Sequence, residues 1–575
     1  MKASDYVAAY LHAQGVRQVF EVVGGMITHL LDSLGRQGNI QIVSVHHEQA
    51  AAFAADAVGR VTGRPAVAMA TSGPGATNLL TGVASCYFDS SPAVFITGQV
   101  NRHEQKGDRP IRQLGFQETD IVPMAAPITK GAWRVQSAED VPVLLEKAFT
   151  LAVSGRPGPV LLDIPMDVQR LEVNADPHAW PLGAHADEMG PDSSVLEDLL
   201  VDVSRAERPL VLAGGGIRSA RVADLFRLLV ERIRVPVVHS LMAVDGLPYE
   251  HPLRVGMIGS YGNRWANLAL GRSDLLLVIG SRLDVRQTGS DTGAFKGDRI
   301  VYHVDCEDGE VNNRVTGCCA ILSHLRPFLN EALRISARTM FREPTQWTME
   351  IKNLRDKWPD TRELQQTPGI NPNELMHQLS RASSAAVAYV ADVGQHQMWA
   401  AQSLEVEAGQ RFLTSGGMGA MGFGLPAAVG TAVARPGCPV VLVAGDGGFQ
   451  LNIQELQTVV RNSLPVKMVV LNNRCHGMVR QFQQTYFHER YQSTYWGYST
   501  PDFCRVAQAY GINGCSISKS GEVEHALERM WEDPSTPFLL EVAIDTFANA
   551  YPKIAFGHPM TEMEPFASPI AMEGT

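Results

Sequence analysis

The chain is predicted to be an α/β protein built from three doubly wound parallel-sheet domains, and three observations carry that expectation. Its 575 residues suit several domains at roughly 100 to 200 residues each. Short apolar runs alternate with longer amphipathic stretches, the mark of βαβ units stacked around a buried parallel sheet. The alternation is repeated in three blocks, separated by stretches without an apolar period.

In the first block, residues 1–172, the runs QIVSV, PAVAMA, PAVFITG and GPVLLDIP read as strands and AAAFAADAVGRV as a helix. Residues 173–193 are rich in Pro, Ala, Asp and Gly and read as a linker. The second block, 194–335, offers the strands PLVLAGGG, VPVVHSL, DLLLVIGSR and RIVYHVD. A more polar segment, 336–370, precedes the third block, 371–545, with AVAYVADVG, PVVLVAGDGG, VKMVVLNN and PFLLEVAID. Residues 546–575 form a Pro- and Met-containing tail.

Composition excludes several function classes. Lys plus Arg number 49 against 60 Asp plus Glu, a net charge of −11, and no Lys/Arg-dense stretch makes a phosphate-tracking surface, so nucleic acid is not an expected partner. The start lacks a basic region followed by an apolar one, and no apolar run approaches the ~20 residues of a bilayer span. The eight cysteines contain no C-x-x-C pair, which suits a reducing compartment. A cytoplasmic enzyme without membrane contact is the expectation.

The sharpest chemical signal is Gly445, Asp446 and Gly447 at the end of the strand PVVLVA, with Gly448 next and Asn472 and Asn473 ending the following strand. Open parallel sheets bind ligands at such strand ends. A hard, octahedral Mg²⁺ bridging a diphosphate takes few protein oxygens, and Asp446, Asn473 and a nearby backbone carbonyl, at Cys475, would supply them. The glycines admit phosphate close to the backbone, and a helix opening near Gln454 and Glu455 would aim N–H groups at it. Two ordinary strand-to-helix turns would read the same way. Gly417, Gly419 and Gly422 make a G-x-G-x-x-G, but no acidic residue ends a following strand at the dinucleotide spacing, so an NAD-type oxidoreductase is the poorer reading.

GDG followed about 25 residues later by NN resembles the thiamine diphosphate motif. With VHHEQAAAFAADA, ATSGPGATNLLTG, ITGQV, GFQETDI, SGRPGPVLLDIP, DVGQHQMWAAQ, SGGMGAMGFGLPAA and GMVRQFQ in family order, nearly the whole chain resembles the catalytic subunit of acetolactate (acetohydroxyacid) synthases. The resemblance implies three domains, termed pyrimidine-binding, central Rossmann-like and diphosphate-binding, and thiamine diphosphate with Mg²⁺ as cofactors. It implies Glu48 as the carboxylate that bonds the cofactor's N1′, where an isolated glutamate would read as a helix-N-terminal residue favoured by the dipole. It implies Met421, beside Gly419, as the apolar residue on which the cofactor bends, and carbonyls near Gly24 and Gly25 as acceptors for the 4′-amino group, although family members commonly read Pro-Gly-Gly where this chain has Val-Gly-Gly. Phe116 and Gln117 match residues facing the reacting carbonyl, and His47 is a polar neighbour of Glu48. The family holds its cofactor between the first domain of one chain and the third of its partner, which implies a homodimer or homotetramer.

In the middle block, Gly214, Gly215, Arg282, Asp284, Arg286 and Asp305 line up with segments that wrap FAD in this family, where the flavin serves no net redox change. Val285 replaces a usual Asp, and a Rossmann-like spacer without flavin is the alternative. Pyruvate is the implied donor. The implied acceptor is a second 2-keto acid, contacted by an Arg at the position of Arg282 and by a Trp where this chain has Phe482; Met166 stands where the family usually has Lys. Phe482 and Met166 make the acceptor end less polar or larger and favour transfer to a ketone, such as a nucleotide-linked 4-keto sugar in yersiniose-type branched-sugar enzymes. Acetolactate synthesis from two 2-keto acids is the alternative. An inactive regulatory homologue would lack Glu48, Asp446 or Asn473, and all three are present.

Overall fold

A computed structural model describes residues 1–178 and 189–571; part of the linker expected at 173–193 lies outside them. Among the described residues there are three six-stranded sheets, parallel throughout, flanked by helices. The first contains β1 (Gln18–Val22), β2 (Gln41–Ser44), β3 (Ala66–Ala70), β4 (Ala93–Gln99), β5 (Gly131–Arg134) and β6 (Pro159–Pro165), in the order 2-1-3-4-6-5. The second contains β7 (Pro209–Ala213), β8 (Val237–His239), β9 (Arg254–Met257), β10 (Leu275–Ile279), β11 (Ile300–Asp305) and β12 (Cys319–Leu322), in the order 12-11-10-7-8-9. The third contains β13 (Ala388–Ala391), β14 (Arg411–Thr414), β15 (Val440–Gly445), β16 (Val466–Asn472), β17 (Asn513–Ile517) and β18 (Phe538–Ala543), in the order 14-13-15-16-18-17. The α/β class with doubly wound sheets is as expected.

Inner strands such as β10 (LLLVI) and β15 (VVLVAG) are buried along their whole length, as strands covered on both faces must be. Flanking helices bury one stripe: helix Ala223–Ile233 buries Phe226, Leu229, Val230 and Ile233, the i, i+3, i+4, i+7 pattern. The polar segment after the second sheet includes helix Thr345–Lys357, anchored by a hydrogen bond from Trp347 Nε1 to the Pro209 carbonyl. The C-terminal tail is docked: β19 (Lys553–Ile554) pairs antiparallel with β20 (Met563–Glu564), and Ile554, Met560 and Met563 join the core around Trp265. No helix among the described residues is long and apolar enough to cross a membrane.

The third sheet repeats the strand order of the first, and the helices after the second strand of each, Glu48–Thr62 and Gly424–Ala434, pack on one another. Their contact is close: a Cβ on Gly430 would lie 2.2 Å from the Ala54 carbonyl oxygen. One core runs continuously from Phe53 and Ala54 to Phe423 and Val429, so the first and third sheets share an interior.

Candidate active site

A doubly wound sheet opens a crevice where its strand order reverses, at the carboxyl ends of the two strands flanking that point. Here those strands are β1 and β3, β7 and β10, and β13 and β15. Most of the residues singled out in the sequence fall at these three places.

In the third sheet, Met421, Gly445, Asp446, Gly447, Gly448, Asn473 and Cys475 line one cavity. Asp446 opens the helix Asp446–Leu451 directly after β15. Its Oδ1 accepts from the Gly447 N–H at 3.0 Å, while its buried Oδ2 makes no well-formed hydrogen bond among the described residues, although the Tyr498 hydroxyl and the Arg474 N–H stand close to the carboxyl. Burial pushes this carboxyl up to about 7, so the site favours a cation that restores its charge. Asn473 is oriented by two bonds, Nδ2 donating to Gln395 Oε1 at 3.1 Å and Oδ1 accepting from the Cys475 N–H at 3.2 Å. The glycines are needed for space: a Cβ on Gly445 would meet the His396 ring at 2.7 Å, and one on Gly447 the His476 ring at 2.8 Å. An orphaned buried carboxylate oxygen, an oriented amide and backbone kept bare fit Mg²⁺ and a diphosphate. The Cys475 thiol, pushed up to about 12 by burial, donates to the Thr546 carbonyl and is no thiolate ligand. A 3₁₀ turn, Ile453–Glu455, does open near Gln454 and runs into helix Leu456–Arg461, but none of it lines the cavity, and Glu455 accepts from the His46 N–H of the first domain. The N-terminus adjoining the cavity belongs instead to helix Asp446–Leu451.

Sequence reasoning missed Asp392. Fully buried at the end of β13, it accepts from the Val393 N–H at 2.6 Å and from the Gly422 N–H at 3.0 and 3.2 Å, so it fixes the turn after Met421. Burial pushes its carboxyl up to about 7. Its signal was present, a carboxylate at a strand end one strand from Asp446. His396 was missed too; burial lowers it to about 3, so it is a neutral imidazole, and its Nε2 has no partner among the described residues.

In the first sheet, Glu48 opens helix Glu48–Thr62 and is 9% exposed. Its Oε2 accepts from Asn78 Nδ2 at 2.9 Å, and a Cβ on Gly75 would stand 3.2 Å from its Oε1. Gly24 follows β1 closely against Thr71 at the end of β3, where a Cβ would fall 2.4 Å from the Thr71 Cβ; Gly25 has open space at that position. The carbonyls of both accept from the Thr28 hydroxyl. Gln117 lies against Gly73 with φ at +63°, a conformation that non-glycine residues rarely adopt. Phe116 beside it is 80% exposed. The His47 imidazole is committed to capping the helix, Nδ1 accepting from the Gln49 N–H at 3.1 Å.

In the second sheet the Gly214–Gly216 turn and Gly280 meet backbone to backbone, with 2.0 Å between a Cβ on Gly214 and the Gly280 carbonyl oxygen; Gly215 faces Met242. Arg282 lies 3.7 Å from Asp284, which caps the short helix Val285–Thr288 by accepting from the Arg286 N–H. Asp305 ends β11, its carboxyl raised by burial. The glycines let the two strand-end turns close on each other at the switch point, the place where doubly wound sheets bind pyrophosphates. The residues assigned to the acceptor stand on three separate elements: Met166 follows β6, Arg282 follows β10, and Phe482, in helix Gly477–Tyr486, packs on Tyr486 and on Phe487 just after it.

The three sheets and the Asp446 crevice define a thiamine diphosphate enzyme. Accordingly, models of the thiamine pyrophosphate enzyme N-terminal, central and C-terminal domains match residues 1–124, 196–332 and 392–542. The acetolactate synthase isozyme 2 large subunit of Escherichia coli (strain K12) is 38% identical over 98% of this chain and 99% of its own length. The acetolactate synthase large subunit of Lactococcus lactis subsp. lactis (strain IL1403) is 36% identical over 97% and 95%, and the probable acetolactate synthase large subunit of Methanocaldococcus jannaschii 34% over 100% and 96%. The chain belongs to the acetolactate synthase large-subunit family and is a thiamine-diphosphate-dependent, acetolactate synthase-like transferase.

Proposed function

We propose that the protein takes pyruvate as donor and condenses its two-carbon unit with a second 2-keto acid, as an acetolactate synthase. The observation that carries this is the unpartnered Asp446 Oδ2 beside Asn473 and Met421 in one cavity, within a chain whose similarity to acetolactate synthases spans nearly its whole length. Asp446, Asn473 and the Cys475 carbonyl would hold Mg²⁺ and the diphosphate, Met421 would support the bent cofactor, and Glu48 would bond N1′. Bound thiamine diphosphate supplies the electron sink for decarboxylation; Phe116 and Gln117 would face the reacting carbonyl.

Two copies of the chain would complete the site. Glu48 and Asp446 stand in separate crevices, and exposed apolar residues adjoin both: Val23 (69%) and Phe116 (80%) at the first, Val479 (53%) and Met418 (41%) at the third. The Gly214 and Gly280 cradle would hold FAD without redox use, with Arg282, Asp284, Arg286 and Asp305 around it. Among the described residues all eight cysteines are free thiols, which supports a cytoplasmic location.

A second reading, transfer to a ketone, draws on Phe482 and Met166. The family resemblance puts Trp and Lys at these positions, and exchanging indole for phenyl in a pocket is worth roughly 10- to 200-fold in discrimination. One experiment separates the readings: the holoenzyme is given pyruvate alone, then pyruvate with a cyclic ketone, and products are followed by mass. Acetolactate from pyruvate alone supports the first, ketone adducts that Phe482→Trp diminishes support the second, and no carboligation product in either case refutes both.

A further inference from the structure

Between β14 and helix Gly424–Ala434 the chain reads SGGMGAMGF, with Gly419 and Gly422 at φ +64° and +84°. Glycine-rich backbone loses more freedom on ordering than any other, so a turn that must hold Met421 in one place needs fixing on both sides. Asp392 fixes the C-terminal side. The N-terminal side is fixed by the first domain.

Asp89 follows helix Pro74–Phe88, and its carboxylate receives two backbone N–H groups of the third domain: Gly416 at 3.1 Å on Oδ2 and Gly417 at 2.7 Å on Oδ1. Arg60 Nη1 donates to the Thr414 carbonyl at 2.6 Å. Ser415 Oγ accepts from the N–H of Ala420, the residue before Met421, at 3.2 Å. The approach leaves no room for side chains: a Cβ on Gly416 would lie 2.3 Å from Met242 Sδ, and one on Gly417 2.7 Å from Phe88 Cβ.

The charges explain why the segment is drawn in. Arg60 is bidentate to Asp56, at 2.6 and 2.9 Å, and reaches Asp89 at 2.9 Å. The three side chains are 9%, 0% and 2% exposed. One guanidinium faces two carboxylates, leaving one surplus negative charge in a buried place, where an uncompensated charge is costly. The Gly416 and Gly417 N–H groups meet it, so the ion cluster is satisfied only when the segment is seated. Asp56 and Arg60 also stand about two and three turns along the helix that Glu48 opens, so the same rod carries both the proposed catalytic carboxylate and this clamp.

We propose that Asp89, oriented by Arg60, is a positioning residue that seats Gly416–Gly417 and so holds the Met421 turn. The inference rests on the reading of Met421 as the support for thiamine diphosphate. Its test uses the full-length protein and Asp89→Asn, which keeps size but replaces one acceptor with a donor. Without cofactor, amide hydrogen exchange at Gly416 and Gly417 should quicken at least tenfold while β15 and β16 keep their protection. Thiamine diphosphate affinity with Mg²⁺, read by intrinsic fluorescence, should weaken about 10- to 100-fold for the loss of one or two charge-assisted bonds. Gly417→Ala, which presses the same contact from the other side, should do likewise, and the double variant should be little worse than either single, as expected of two changes at one contact. Wild-type protection and affinity in Asp89→Asn would overturn the inference. So would protection lost evenly over all three sheets, which would make Asp89 a general stabiliser. A wild-type protein that binds no thiamine diphosphate would instead refute the reading beneath it, whatever the exchange data show.

Discussion

Replacing Glu48 by Gln tests the proposed catalytic carboxylate most directly, and the local geometry sets the size of the effect. Asn78 Nδ2, 2.9 Å from Glu48 Oε2, is a donor and demands an acceptor. The introduced amide must therefore turn its carbonyl oxygen to Asn78, which leaves its NH₂ at the Oε1 position, above Gly75. The atom meant to receive a hydrogen bond becomes a donor. A hydrogen bond to a charged group contributes about 1.5–3 kcal/mol, and with a donor replacing the acceptor the loss should lie near the upper part of that range, about 2–3 kcal/mol. At 1.4 kcal/mol per tenfold that is roughly a 30- to 150-fold slower hydrogen exchange at C2 of bound thiamine diphosphate. The assay is exchange into D₂O on cofactor-saturated enzyme, quenched and read by NMR, with cofactor affinity measured alongside. Affinity should fall far less, because the diphosphate end is proposed to be held on the third sheet, away from Glu48. Exchange at the wild-type rate would remove Glu48 from the reaction.

Asp446→Ala should leave a folded protein that no longer retains thiamine diphosphate and Mg²⁺, since it removes the buried carboxylate proposed as a metal ligand; equilibrium dialysis against the cofactor checks it. Purified wild type should be yellow and release flavin on denaturation, and a colourless protein that cannot be reconstituted with FAD would contradict the reading of the Gly214 cradle. His377 bridges Asp360 at 3.0 Å and Glu405 at 2.8 Å. Burial alone would lower its pKa, but the two carboxylates outweigh that and raise it above 6.5. The native state thus binds this proton more tightly than the unfolded one, so its stabilisation is full below pH 6.5 and fades as pH rises through the elevated value. Thermal unfolding followed across that range should show the loss in wild type and not in His377→Gln.

The strands legible in the sequence and those that were not divide on a physical line. β3, β4, β6, β7, β10, β15 and β16 are covered on both faces and read as continuous apolar runs. β5 (GAWR), β9 (RVGM), β12 (CAIL), β14 (RFLT) and β17 (NGCSI) stand at sheet edges, where one flank is unpaired and the pattern breaks up; β2, the sixth edge strand, was legible all the same in QIVSV. β1 was hidden differently, by Gln18 at its start and the buried Glu21 near its end. The site was legible where chemistry and strand ends coincide, as at Asp446 and Asn473. It was not legible where a residue acts through a long-range contact: nothing within reach of Asp89 in the sequence shows that its partners lie at 416 and 417.

The shared interior of the first and third domains bears on how the chain comes off the ribosome. Helix Glu48–Thr62 completes its packing only against Gly424–Ala434, so the nascent chain must grow from residue 62 to beyond residue 424 before that apolar face is covered. At about 5–20 residues per second this delay is roughly 20 to 70 seconds. An alanine-rich surface bare for that long is a natural client for chaperones. Slowing translation downstream of the first domain should therefore lower soluble yield, whereas a substitution confined to the middle domain should leave this waiting time unchanged.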